Sequence, residues 1–70
     1  MLSDLLMWNK IGRIVTLLSE RLHVSGERAL DIFYNSRTNE RLHDEHTGLY
    51  LMSDLYLVDE IILELQGRYS

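Results

Sequence analysis

The tetrapeptide Glu-Arg-Leu-His occurs twice in this seventy-residue chain, at positions 20–23 and 40–43. On a helix, Glu-x-x-His sets a carboxylate and an imidazole one turn apart. Two such pairs, joined by glutamates from two further helices, build a di-iron centre inside a four-helix bundle. Glu60 and Glu64 are the residues that would complete the set. Orientation argues against it, because a step of about 100° per residue puts Glu20 and His23 opposite the apolar stripe of their own helix. The copy does not extend into a longer repeat either. A second cluster, His43-Asp44-Glu45-His46, spaces two imidazoles three residues apart, as an adventitious zinc or nickel site or a pH sensor does. It has no clear third ligand and no supporting shell, so it reads as a charged helix end running into a turn. We expect no metal and no cofactor.

The inventory for catalysis is thin. There is no cysteine, no glycine-rich phosphate loop, no nucleophile elbow and no His-Glu-x-x-His. Asp59, Glu60 and Glu64 form an acidic face that reads as solvated, since acid–base work by paired carboxylates needs a cleft. We therefore expect no enzyme. Residues 18–33 resemble a bacterial helix-turn-helix, with the small Ser19 in the first helix, His23-Val24 at the turn, Ser25 capping the second helix and Ile32 packing the two together. The resemblance implies that Gly26, Glu27, Arg28 and Asp31 face a major groove, where Arg28 is the one plausible guanine or phosphate contact and the two acids are repelled. In that reading Arg13 and Arg21 meet phosphates and Ser25 presents a backbone amide at the helix start. Histidine stands at the turn where such motifs usually carry glycine.

The elements that hold these residues are helical. The chain has no proline, and its apolar residues recur at steps of three and four. A first helix over residues 4–22, capped by Ser3, turns Met7, Ile11, Ile14, Val15, Leu18 and Leu22 to one face. Val24-Ser25-Gly26 breaks the chain, and Ser25 opens a second helix over 26–35 with Ala29, Leu30 and Phe33 inward. A short third helix over 37–44 is anchored by Leu42 and stops before a turn at Thr47-Gly48. Leu49-Tyr50-Leu51-Met52 has no helical stripe and reads as an extended connector. Ser53 caps a last helix over 54–66, with Leu55, Val58, Ile61, Ile62 and Leu65 on one face and Gly67 at its C′ position. Tyr34, Tyr50, Tyr56 and Tyr69 read as half-buried covers of a thin core. The expected fold is a single all-α domain over 1–70, a small bundle of three to four helices with the first and last as an antiparallel spine.

At 8.3 kDa and 46% hydrophobic, such a chain relies on packing alone, and an isolated monomer of this size is held by roughly 3–5 kcal/mol. Both long helices carry more apolar residues than one face buries. Leu5, Leu6 and Leu17 stand off the stripe of the first helix, and Leu63 emerges near Asp59 on the last. With Trp8 as anchor, Leu5, Leu6, Leu17 and Leu63 read as a dimer seam or a docking site for a partner helix, and Trp8 reads almost equally as a lid on the core. Charge is segregated: residues 1–35 balance four acids with four bases, whereas residues 36–70 hold seven acids and three bases and so the whole net charge of −4. That acidic half disfavours nucleic acid. The apolar runs are too short for a bilayer, Met1-Leu2-Ser3-Asp4 does not read as a secretory signal, and the lack of cysteine suits a reducing cytoplasm.

Ala29-Leu30-Asp31-Ile32-Phe33-Tyr34, then Leu42-His43, His46-Thr47 and Tyr56-Leu57-Val58-Asp59-Glu60-Ile61, resemble short helical bacterial proteins of a domain-of-unknown-function family found beside toxin–antitoxin-like partners. The resemblance spans about half the chain. It implies a compact helical protein that acts through protein contacts, with no catalytic residues to carry over. The function expected is a small self-associating interaction module, and the alternative is a helix-turn-helix regulator.

Overall fold

The computed structural model describes residues 4–67, and the cap expected from Ser3 and the cover expected from Tyr69 lie outside them. Helices form where the apolar period of three and four meets a serine start signal. The first, α1, spans Asp4–Leu22; α2 spans Gly26–Tyr34; α3 spans Arg37–Leu42; and α4 spans Asp54–Leu65. Ser25, Ser36 and Ser53 sit in extended conformation just before α2, α3 and α4, and each hydroxyl accepts the amide three residues on, from Arg28, Asn39 and Tyr56. Each cap thereby satisfies one of the amides that a helix start leaves without an internal partner.

Ile11, Ile14, Leu18, Ala29, Phe33, Leu42, Leu57, Val58 and Ile61 form the core, and Met7, Val15, Leu22 and Ile62 pack around it. The stripe expected on α1 is therefore the buried one. On α2, Ala29 and Phe33 point inward but Leu30 does not, being 38% exposed. α4 also differs in register. Leu55 and Leu65 lie in the open, and Leu57, not named in the expected stripe, is fully buried with Val58 and Ile61. The cause is that α4 is apolar nearly all round, so its period alone does not select a face.

The segment between α3 and α4 is not an extended connector. It makes two 3-10 turns, Glu45–Thr47 and Leu49–Leu51, joined by Gly48 at φ 66°, a left-handed conformation that glycine adopts without a Cβ clash. Curling this way lets Leu49 and Tyr50 pack on the core. α3 stops at Leu42, two residues short of the expected end, because Asp44 turns to cap the next turn by accepting the His46 amide. Gly67 closes α4 at φ 76°, as its C′ position requires.

α1 packs against both α2 and α4. Two sets of ion pairs fix the sense of the α1–α4 pairing. Lys10 and Arg13 both meet Asp54 at the start of α4, and Arg21 meets Asp59 farther along. Residue numbers rise together on both helices, so α1 and α4 run in the same sense and not antiparallel.

Candidate functional site

A cluster of large apolar side chains stands exposed at the start of α1. Leu5 is 71% exposed and Trp8 60%, with Leu6 also in the open. One turn after Trp8 stands Gly12, in the middle of a nineteen-residue helix, where glycine costs about 1 kcal/mol relative to alanine. A Cβ built there would meet nothing within 4 Å, so no neighbour in the chain demands its absence. Shallow hollows flank it. On one side Trp8, Val15, Thr16 and Leu30 enclose about 460 Å³ against the start of α2. On the other, Asn9, Arg13, Leu17 and Asp54 bound a hollow of about 580 Å³. Trp8, Gly12 and Thr16 line both. They follow at steps of four, and the Thr16 hydroxyl turns back to the Gly12 carbonyl at 2.9 Å, which keeps its polar atom off the face.

The expected interface residues thus divide in two. Leu5 and Trp8 share the outer face of α1 with Gly12. Leu17 is half-buried and packs on the core, and Leu63 is half-buried on α4, one turn beyond Asp59, on the side where Arg21 pairs with that carboxylate.

The arginines of the nucleic-acid reading are held by the chain's own acids. Arg13 Nε donates to Asp54 at 2.8 Å, Arg21 to Asp59 at 3.2 Å and Arg28 to Asp31 at 3.4 Å. Ser25 uses its hydroxyl as the α2 cap. The turn itself is sharply formed. His23 adopts φ 56°, the Val24 amide bonds back to the Ser19 carbonyl at 3.1 Å, and the Ser19 hydroxyl donates to the Val24 carbonyl at 2.6 Å. This is a Schellman closure with histidine in the left-handed position where glycine is usual.

Glu20, His23, Glu40 and His43 are all exposed, and among the described residues no three metal-ligating side chains converge. In the histidine cluster, Asp44 receives the His46 amide and faces the His46 ring at 3.2 Å, and the amide bond first, then the ring, hold its carboxyl below the usual carboxylate value.

Two residues matter that the sequence reading assigned no role or the wrong one. Lys10 is only 8% exposed, and its ammonium donates at 2.9 Å to both the Met52 carbonyl and Asp54. Its signal was present in the sequence: Lys10 lies three residues after Met7 and four before Ile14, within the apolar stripe, and a buried ammonium requires a partner. Burial raises the Asp54 carboxyl, but hydrogen bonds from Lys10 and Arg13, with their charges, outweigh it and leave the group below its usual value. Glu64, expected on a solvated acidic face, instead reaches the start of α3. Its carboxylate accepts the Arg37 amide at 2.6 Å, the Thr38 amide at 3.0 Å and the Thr38 hydroxyl. No local spacing announces that contact, which joins residues twenty-six and twenty-seven apart.

Among the described residues, no helix is long and apolar enough to cross a membrane. Comparison of the chain with protein-family models, curated proteins and solved structures finds no match.

Proposed function

We propose that this protein is a small helix-docking module that pairs with a second copy of itself across the outer face of α1. The observation that carries this reading is Gly12, a glycine at a helix centre with open space above it, set beside a tryptophan left 60% exposed. A glycine there weakens the isolated helix and serves no contact within the chain, whereas it lets a second backbone approach closely. Trp8 then has a hollow to enter on the partner, and a two-fold arrangement uses the same patch on both copies. The face suits a second copy as occupant, because its Arg13 and Asp54 are already paired with each other and Glu27 is the one further charged residue lining the two hollows. A reducing cytoplasm fits a chain without cysteine.

The test separates folding from association, since Gly12→Ala acts on them with opposite signs. It should raise the stability of the monomer by about 0.5–1 kcal/mol through helix propensity, and weaken self-association. Trp8→Ala should raise the dimer dissociation constant by about tenfold or more. Light scattering in line with gel filtration over a range of concentrations reads association in both variants, and urea unfolding of the dilute chain reads the stability of Gly12→Ala. A chain that stays monomeric at every concentration overturns the proposal.

A second reading, a helix-turn-helix regulator, is favoured by the left-handed turn at His23 followed by the Ser25 cap. It requires the guanidinium of Arg28 to leave Asp31 for DNA, an exchange that costs little for an exposed pair. Arg28→Ala should then reduce both DNA affinity and its salt dependence, and intact affinity would remove α2 from the recognition role.

A further inference from the structure

We infer that the hollow at the end of the bundle, where the start of α1 meets the end of α2 and the Leu49–Leu51 turn, binds a small organic cation of the methylated ammonium kind. Three aromatic side chains from separate parts of the chain, Trp8, Tyr34 and Tyr50, line one space of about 590 Å³, a size that suits a small ligand. Met7 and Leu42 give it an apolar base, and Asp4 and Glu45 stand at it with carboxylates. No lysine or arginine lines it, and among its lining residues His43 is the one basic side chain.

The aromatic, acidic and apolar parts of this lining select the same chemistry. Aromatic faces carry negative charge density and attract a cation that lies over them, best of all on tryptophan. Two carboxylates add negative potential, which repels anions and draws in cations. An apolar base rewards a cation clothed in methyl or methylene groups over a bare metal ion, which keeps its water. Two of the three rings are also held in place, whereas Trp8 is 60% exposed. Tyr34 makes an edge-to-face contact with the buried Phe33, with centroids 5.7 Å apart, and Tyr50 is carried on a turn whose approach depends on the left-handed Gly48. The hollow shares Trp8 with the groove above Gly12, and Ile11 with its α2 side, so Trp8 serves either the cation or a second copy at one time; the inference does not rest on self-association.

The chain's single tryptophan is Trp8, so its emission reports directly on this site. Choline is the probe, and its uncharged carbon isostere, dimethylbutanol, is the control of equal shape. Choline should change Trp8 emission saturably with a half-point on the order of a millimolar, as expected for so few atoms. The isostere should bind about tenfold more weakly, since it lacks the charge that the rings and carboxylates recognise. Glu45→Gln, a change at an exposed position, should weaken choline about threefold and leave the isostere unmoved. Tyr50→Leu should weaken choline about tenfold, with circular dichroism confirming the fold. Equal binding of choline and the isostere overturns the inference, because it leaves only an apolar hollow. Absence of any saturable change at about a hundredfold higher concentration overturns it as well.

Discussion

Glu64→Ala removes a carboxylate that ties the C-terminal part of α4 to the start of α3, and its cost follows from which amides water can reach afterwards. Arg37 is exposed, so its amide rehydrates when the carboxylate leaves and the loss there is about 0.5–1 kcal/mol. Thr38 is 4% exposed, so its amide and hydroxyl lose an anionic acceptor with little access to water, a loss of about 1–2 kcal/mol. The Ser36 cap of Asn39 remains, so α3 keeps one of its three satisfied starting amides. The sum is about 2 kcal/mol, a large share of the roughly 3–5 kcal/mol that holds a domain of this size. It corresponds to a fall in melting temperature of about 8–16 °C. Urea and thermal unfolding followed by circular dichroism measure it, with Glu20→Gln on the exposed face of α1 as control, expected within about 0.5 kcal/mol of the parent. Amide exchange at residues 39–42 should accelerate in Glu64→Ala before the rest of the chain opens, because α3 has only Leu42 as its fully buried apolar anchor. If Glu64→Ala cost no more than Glu20→Gln, the tertiary cap would carry no energy and the argument from buried amides would fail.

Asp54 sets the acid limb of stability. Its folded carboxyl lies below its ordinary value of 3.8, so the stabilisation it brings is present above that pH and is lost as the pH falls through the depressed folded value. Unfolding measured from pH 6 down to about 2 should show this loss, and Asp54→Asn should flatten that limb while costing about 1–2 kcal/mol near neutrality, since Lys10 then lacks its anionic partner; an unchanged acid slope would show that Asp54 is not its source. His23→Gly should stabilise the protein by about 0.5–1 kcal/mol in urea titrations, because glycine takes the left-handed turn without the Cβ penalty, and a clear loss would mean that the turn does not constrain residue 23. The register of α4 is open to direct test. Leu57→Ala should cost about 2–5 kcal/mol and Leu55→Ala, half in solvent, less than about 1, whereas the reverse order would place Leu55 in the core.

The parts of this protein that were legible in its sequence are those written at separations of three and four residues. The stripe Ile11, Ile14 and Leu18 on α1, the serine caps at 25 and 53 and the glycine closing α4 are each decided by contacts within one or two turns, so the local string contains the whole cause. Leu5 and Leu6 could be assigned to the surface by the same angular arithmetic, since their own helix sets their direction, whereas Trp8 stands only about 70° from the centre of the stripe and its exposure was decided by the packing. The tertiary structure decided the rest. On α4, apolar on nearly every side, only the positions of α1 and α3 select Leu57 over Leu55. The sense in which α1 and α4 pair depends on which carboxylates Lys10, Arg13 and Arg21 find, and these lie thirty-eight to forty-four residues away. Glu64 looked like one more solvated acid beside Asp59 and Glu60, because nothing in its neighbourhood records that the first amides of α3 would arrive within reach. Likewise, Trp8, Tyr34 and Tyr50 are unremarkable apart in the sequence, and only the packing of four helices and a left-handed glycine turn brings them around one hollow. Periodicity is a property of one element, whereas burial of a particular face and pairing of a particular charge are properties of two, and their free energy exists only once both are in place.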